Sequence, residues 1–173
     1  MRLLIRVFAV GLLAALISAG SAFAQRNSLE IRGDVDKPRT WSIEDVKKQF
    51  AGEIQTVESV SGPEKPAKTS TGIPLISLIK AAELKTAETP KHYDLSFIVI
   101  LEAHDGYRAW FTFAELALNV KDSPTLLVWE ENGKPLVDNE LPFRLFTKGG
   151  DRSIYGITRI TLVDGIKLSN SLK

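Results

Sequence analysis

Short apolar runs place the main constraint on how this chain can fold. After Gln25, every hydrophobic run is broken by a charged residue, a proline or a glycine within the length of one strand. A membrane-spanning helix needs about 20 predominantly apolar residues in succession. The pattern therefore predicts a soluble domain of short strands and helices, and it argues against an integral membrane protein.

The N-terminal segment is the longest apolar stretch of the sequence. Two arginines precede an apolar run over residues 7–17, and Ala22-Phe23-Ala24 supplies the small residues of a cleavage site. This order is typical of a secretory signal peptide. A membrane anchor is the alternative, but Gly20 interrupts the run. We expect residues 1–24 to be a signal peptide that is cleaved after Ala24, and the protein to be periplasmic or secreted.

Composition limits the chemistry that the remaining chain can perform. There are 22 basic and 21 acidic residues, and removal of residues 1–24 changes the net charge from +1 to −1. A nucleic-acid-binding protein normally has a marked basic excess, so that class is not expected. The chain has no cysteine, which excludes a disulfide, a thiolate nucleophile, a thiolate metal ligand and a lipidated cysteine. Residues 25–173 suffice for a single domain.

Alternating apolar and polar side chains predict most of the strands. The predicted strands are Ser28–Gly33, Ile54–Val60, Leu95–Ala103, Tyr107–Phe111, Leu126–Glu130, Lys134–Val137, Phe143–Thr147 and Ile157–Val163. His104-Asp105-Gly106 and Asn132-Gly133 have the residues of tight hairpin turns between neighbouring strands. Hairpins of this kind favour antiparallel pairing.

Three helices are predicted between these strands. Capping boxes begin helices at Ser42–Asp45 and Thr112–Glu115, and Pro74 is expected as the first residue of another. Residues 61–71 are rich in proline, lysine, serine and threonine and are predicted to be an exposed loop. Because strands and helices do not alternate regularly, we expect an α+β fold with a mixed, mainly antiparallel sheet and short helices.

His104 is the better candidate of the two histidines for chemistry. It lies between Glu102 and Asp105, which would allow a weak His/carboxylate metal site. The alternative is that His104 and Asp105 shape the hairpin turn, and this is favoured because no second histidine stands at ligand spacing. No Gly-x-Ser-x-Gly motif is present, so a nucleophilic triad is not expected.

A basic cluster near the C-terminal end is the main candidate for anion binding. Its members are Arg144, Lys148, Arg152 and Arg159. They surround Lys148-Gly149-Gly150-Asp151, where glycines would let backbone N–H groups approach a phosphate or carboxylate. A solvated loop is the alternative, since the spacing matches no known phosphate-binding motif. The three tryptophans, Trp41, Trp110 and Trp129, are expected to pack in the core.

Seven segments follow one another in a characteristic order. They are Leu29–Gly33, Trp41–Ile43, Gly72–Leu75, His104–Tyr107, Phe111–Leu116, Asn132–Leu136 and Leu141–Leu145, and they are followed by Arg159-Ile160. In this order they resemble the molybdopterin-binding domain of sulfite-oxidase-type oxidoreductases. The resemblance covers nearly all of residues 25–173 and implies that fold.

The resemblance also implies where a metal would bind in an enzyme of this family. Such enzymes hold molybdenum through a pterin dithiolene and one Cys thiolate, which precedes the Gly-x-Pro-Leu helix. Here Ser59 aligns with that Cys, and a hydroxyl group is a poorer soft donor with a far higher pKa than a thiol. Exported members are generally loaded with cofactor before passing through the twin-arginine route, and this N-terminus has no adjacent arginine pair.

These observations predict an exported protein that keeps this fold, has no active molybdenum, and binds a small anionic ligand or a periplasmic protein. The alternative is a molybdopterin-dependent oxidoreductase with an atypical metal site. No catalytic or metal-ligating residue is assigned, and no cofactor is expected unless molybdopterin is retained. The expected ligand-binding residues are Ser59, Ser61, His104, Tyr107, Arg144, Lys148 and Arg152.

Overall fold

The computed structural model describes residues 27–59, 66–86, 91–118, 124–147 and 153–173. Its strands are β1 (Ser28–Gly33), β2 (Arg39–Ser42), β3 (Gln55–Ser59), β4 (Lys68–Pro74), β5 (Phe97–Ala103), β6 (Arg108–Thr112), β7 (Leu126–Glu131), β8 (Lys134–Pro135), β9 (Phe143–Phe146) and β10 (Ile154–Asp164). Its α-helices are α1 (Ile43–Gln49), α2 (Leu75–Ala81), α3 (Phe113–Leu118) and α4 (Gly165–Ser171). Short 3₁₀ turns cover Ala51–Glu53, Tyr93–Ser96 and Asp138–Glu140.

The strands form one mixed sheet in which antiparallel pairs predominate. The main order is β2-β1-β10-β9-β7-β4-β3, with β5 and β6 joined to β10 and with β8 joined to β7. Among the pairs in the described ranges, only β1 and β10 run parallel. The predicted α+β class with a mixed, mainly antiparallel sheet is therefore confirmed. No helix in those ranges is long and apolar enough to span a bilayer.

The long strand β10 organises the sheet. β5 pairs along one side of it from Ile157 to Asp164. On the other side, β9 pairs at Ile154 and Ile157, and β1 pairs with the later residues. The register shifts between Ile154 and Ile157 and again between Ile157 and Arg159. Such irregularities bend a strand, so β10 can serve two parts of the sheet.

Alternation of side chains builds the core. β5 is buried at every second residue, which is the pattern of a strand with one face on the core. Leu29, Val99 and Ile160 are fully buried, and Trp41 packs on Phe50 with ring centroids 5.5 Å apart. Burying each large aliphatic side chain contributes about 1.5–3 kcal/mol, so this continuous cluster supplies the main stabilisation of the domain.

Two of the three local signals for helix starts are confirmed. Ser42 and Asp45 form a reciprocal capping box at α1. The Thr112 hydroxyl group accepts a hydrogen bond of 3.0 Å from the Glu115 N–H at α3. Pro74 differs from the prediction because it ends β4 and stands just before α2, which begins at Leu75.

Other differences come from contacts that are distant in sequence. β4 begins at Lys68, within the predicted loop, because it pairs with β3 on one side and β7 on the other. Neither β2 nor α4 was expected. Trp41 and Trp129 are buried, but the expectation that Trp110 packs in the core is wrong, since Trp110 is 66% exposed. Its strand turns Arg108, Trp110 and Thr112 outward and Phe111 inward.

Candidate functional site

Four of the seven predicted ligand-binding residues lie in the described part of the chain. They are Ser59 at the end of β3, His104 and Tyr107 in the turn between β5 and β6, and Arg144 in β9. Ser61, Lys148 and Arg152 lie outside the described residues. Three of the four lie on segments that contact the 3₁₀ turn Asp138–Glu140. His104, in the same turn as Tyr107, contacts Asn139, and Arg144 contacts Glu140.

Arg144 is buried and its charge is compensated within the chain. Its Nη2 atom lies 2.7 Å from Glu131 Oε1 and 3.2 Å from the Ser70 hydroxyl oxygen. Its Nη1 atom lies 3.4 Å from Glu140 Oε1. The ring of Tyr155 covers the guanidinium group at 5.8 Å from centroid to Cζ. Two carboxylates therefore already occupy the positions where an anionic ligand would be expected.

A β-bulge makes the Arg144–Glu131 contact possible. Arg144 pairs with Val128 of β7, and residues three apart normally face opposite sides of a strand. The β4–β7 register shifts between Thr71 and Gly72, so that Gly72 pairs with Val128 and Ser70 with Glu131. The extra residue of β7 returns Glu131 to the face of Val128 and Arg144.

Gly72 is required at that bulge. A Cβ atom at this position would lie 2.2 Å from the carbonyl oxygen of Leu127, far inside van der Waals contact. The absence of a side chain lets β4 and β7 approach while their register changes. The Arg144 network thus depends on a glycine that the sequence singled out only as part of the segment Gly72–Leu75 in the family resemblance.

Glu131 connects Arg144 to a second cation. Lys68 Nζ lies 3.0 Å from the other carboxylate oxygen of Glu131. Burial opposes ionisation of Glu131, but the hydrogen bonds from Lys68 and Arg144 outweigh it and hold the pKa of Glu131 below its usual value. The charges of Lys68, Glu131, Arg144 and Glu140 sum to zero, so this network has no excess positive charge.

Ser59 does not join this network directly. Ser59 lies on β3, the far strand of this part of the sheet, and pairs there with Lys68 of β4. Three strand-to-strand steps separate β3 from β9, which corresponds to about 14 Å across the sheet. That distance exceeds the combined reach of a serine and an arginine side chain. Ser59 and Arg144 therefore do not contact each other directly.

Arg159 also lies apart from Arg144, although the sequence placed both in one basic cluster. Its guanidinium group binds Glu30 at 2.7 Å and Glu102 at 2.6 Å. Glu102 in turn binds Arg108 at 2.7 Å. The hydrogen bond to Glu30 and both nearby carboxylates raise the pKa of Arg159 against the effect of burial. These four residues form a cross-strand row of alternating charge over β1, β10, β5 and β6.

His104 holds three segments of the chain together. Its backbone N–H donates to the Gly156 carbonyl group at 2.9 Å, and its Nε2 atom lies 3.1 Å from the Asn139 carbonyl oxygen. Since a carbonyl oxygen can only accept, Nε2 carries the proton. A Cβ atom on Gly156 would lie 2.3 Å from the imidazole ring. The side chain thus has a packing role between β10 and the 3₁₀ turn.

The turn after His104 is stabilised by its neighbour. Asp105 accepts a hydrogen bond of 2.9 Å from the Tyr107 N–H, and Gly106 has a φ of 87°. Asp and Gly are favoured in this geometry because the carboxylate closes an Asx turn and glycine adopts positive φ without strain. The structure supports the turn-forming interpretation of His104 and Asp105.

Three exposed apolar side chains lie on segments that meet at the 3₁₀ turn, and we call them the turn patch. Tyr107 is 59% exposed, Val137 is 61% exposed and Tyr155 is 47% exposed. Their segments are hydrogen-bonded together, because His104 contacts both Gly156 and Asn139 and because Glu140 N–H donates to Val137. Val137 and Tyr155 were not among the predicted ligand-binding residues, because their exposure depends on tertiary packing.

The residues present do not fit the molybdenum centre that the resemblance implies. The aligned donor is the hydroxyl group of Ser59, which is a hard, weakly acidic ligand compared with a thiolate. At the other end, Glu131 and Glu140 lie beside Arg144 and would repel a pterin phosphate.

Comparisons with known proteins add no family assignment. No protein-family model matches the sequence, and no curated protein matches it.

Proposed function

We propose that the protein is an exported binding module with a sulfite-oxidase-type fold that does not use molybdenum, and that it binds a periplasmic protein through the turn patch. The observation that carries this proposal is the contrast around the 3₁₀ turn. Arg144 is compensated by two carboxylates, whereas Tyr107, Val137 and Tyr155 expose apolar surface.

Aromatic side chains of this kind suit a protein interface. Tyr is enriched at such interfaces because it combines a large apolar ring with a polar tip and loses little conformational entropy. The segments that carry the three side chains are fixed by His104 and by the Arg144 network. A surface held this rigidly needs little ordering when a partner docks.

A small anionic ligand at Arg144 is the weaker alternative. Such a ligand would have to displace Glu131 or Glu140 from a buried guanidinium group, or bind beside their negative charges. In neither case would Arg144 gain charge-assisted hydrogen bonds beyond those that it already makes with the two glutamates. The Arg144 geometry therefore favours a structural role for this arginine over direct ligand contact.

A melting-temperature screen tests the choice between these functions. A ligand at about 100 times its dissociation constant adds about 2.7 kcal/mol to stability, enough to raise the melting temperature by several degrees. We expect phosphate, sulfite, pterins and organic acids to leave it unchanged. An increase that Arg144→Lys abolishes would favour the anion-binding function instead.

Metal analysis of protein purified from its native compartment tests the enzyme alternative. Stoichiometric molybdenum would overturn the proposal and favour a molybdopterin-dependent oxidoreductase. Partner binding is tested by Tyr155→Ser, which we expect to weaken co-purification of a specific periplasmic protein. Thr40→Ser, an exposed change on β2, is the matched control and should leave that co-purification unchanged.

A further inference from the structure

β6 is a regular edge strand that exposes an aromatic residue at its centre. Within the described part of the chain, it pairs only with β5. Its five residues pair with β5 without a register shift. Trp110 is the middle residue and is 66% exposed on the outer face of the sheet.

The hydrogen-bonding pattern indicates which peptide groups face away from β5. Ala103 N–H donates to the Tyr107 carbonyl group at 2.9 Å. Antiparallel pairs alternate between bonded and non-bonded positions, so Ala109 and Phe111 bond inward to β5. The peptide groups of Arg108, Trp110 and Thr112 then point to the outer edge.

Other edge strands of the described sheet contain features that resist pairing. β8 consists of Lys134 and Pro135, and β2 follows Pro38 and begins with a charged Arg39. β3 places the exposed Glu58 near its end. Charges, prolines and irregularities are the usual means of protecting an edge from other chains. β6 has no proline or bulge, and its single charge, Arg108 at one end, is compensated by Glu102 of the neighbouring strand.

We propose that a second copy of this chain pairs with β6 in the antiparallel direction, with the two-fold axis beside Trp110. The two sheets then continue through the pair β6–β6. Because Trp110 is the central residue, the same five residues can bond in both copies without leaving an unpaired position. This interface is formed by β6 itself, whereas the turn patch contains, from this part of the chain, only the residue before it, Tyr107, and the proposal goes beyond the proposed function.

The side chains of β6 are self-complementary in this register. Arg108 of one copy lies opposite Thr112 of the other, so the two arginines are not brought together. The Trp110 side chains meet at the centre on the same face, and aromatic cross-strand pairs stabilise a sheet. Glu102 already binds Arg108 at 2.7 Å within each copy, so no cation is left uncompensated at the ends of the pair.

This pairing is too short for a permanent dimer. Stable interfaces usually involve about 20–30 residues on each side, and β6 contributes far fewer. The dimer should therefore form and dissociate with protein concentration. Sedimentation of the mature protein should show an average mass that rises towards twice the monomer mass as concentration increases.

Single cysteines test the register, since the chain has none of its own. Opposed Cα atoms in a bonded antiparallel pair lie about 5.5 Å apart, within the range for a disulfide. Trp110→Cys alone should give an oxidised dimer. Arg108→Cys or Thr112→Cys alone should not, because like positions would be about 14 Å apart, but a mixture of these two variants should crosslink.

Two further variants complete the experiment. Trp110→Lys places two like charges at the axis and should abolish the rise in mass, while Trp110→Phe should retain it. A monomeric mass for the unmodified protein at every concentration overturns the proposal. So does crosslinking of Thr112→Cys alone that is as efficient as that of the mixture, since it requires a different interface.

Discussion

The guanidinium group of Arg144 lies 2.7 Å from the carboxylate of Glu131, although Glu131 is three residues from the residue of β7 that pairs with Arg144. The β-bulge opposite Thr71 and Gly72 closes this gap. The contact joins β9 to β7, and Ser70 extends it to β4. Arg144 is therefore a structural link across three strands.

Removal of this link should destabilise the domain. Arg144→Ala leaves two carboxylates without their buried partner, and breaking such a pair costs about 3–5 kcal/mol when it is fully buried. We expect about 2–4 kcal/mol here, because Glu131 retains 23% exposure. Urea unfolding of the variant measures this loss.

Lys68→Ala is the matched control for that measurement. Lys68 binds the same carboxylate but its side chain is 51% exposed, and such ion pairs contribute only about 0–1 kcal/mol. An Arg144→Ala loss no larger than the Lys68→Ala loss would contradict a structural role for Arg144.

Acid should destabilise the protein through Asp164. Burial opposes ionisation of this carboxyl group, but hydrogen bonds from Tyr93 and from the N–H groups of Ile166 and Lys167 outweigh it and lower its pKa. As the pH falls, Asp164 is therefore protonated in the unfolded chain, where its pKa is about 3.9, before it is protonated in the folded protein. This contribution to stability is complete above that pH and is lost as pH falls through the lower folded-state pKa.

Tyr93→Phe tests this linkage. Its hydroxyl group donates to Asp164 at 2.6 Å, and a hydrogen bond to a charged group contributes about 1.5–3 kcal/mol. We expect that loss at neutral pH, together with unfolding at a higher pH in an acid titration followed by circular dichroism. The control Tyr107→Phe changes an exposed ring and should leave the titration unmoved, while an unchanged titration in Tyr93→Phe would argue against the linkage.

Gly156 should tolerate no side chain. Its φ is 64° and a Cβ atom would contact the His104 ring at 2.3 Å. Gly133 has a φ of 72° but open space around it, so Gly133→Ala carries the backbone strain alone, about 1 kcal/mol. Gly156→Ala should cost more in thermal unfolding, and equal losses would show that the contact with His104 is unimportant.

Features that depend on residues close together in the sequence could be predicted from the sequence alone. The capping box at Ser42 and the tight turn at Asn132-Gly133 follow from local hydrogen bonding and from positive φ angles. The outward direction of Trp110 was also accessible, because it shares the parity of Arg108 on β6. A charged residue at that parity indicates the solvent face.

The candidate site could not be predicted in the same way. Glu131 and Glu140 reach Arg144 only through the pairing of distant strands and a bulge. Their effect reverses the electrostatic expectation for Arg144, because this arginine lies in a network with two carboxylates and one lysine whose charges sum to zero. Asp164 likewise gains its partners from segments up to 130 residues away in sequence.

Site-specific photo-crosslinking in the native periplasm tests the central claim most directly. A photoreactive amino acid replaces Tyr155 in one variant and Thr40, on the distant strand β2, in another. The proposed function predicts a discrete adduct with one partner protein from position 155 and none from position 40. No adduct at position 155, or the same adduct from both positions, would contradict partner binding through the turn patch.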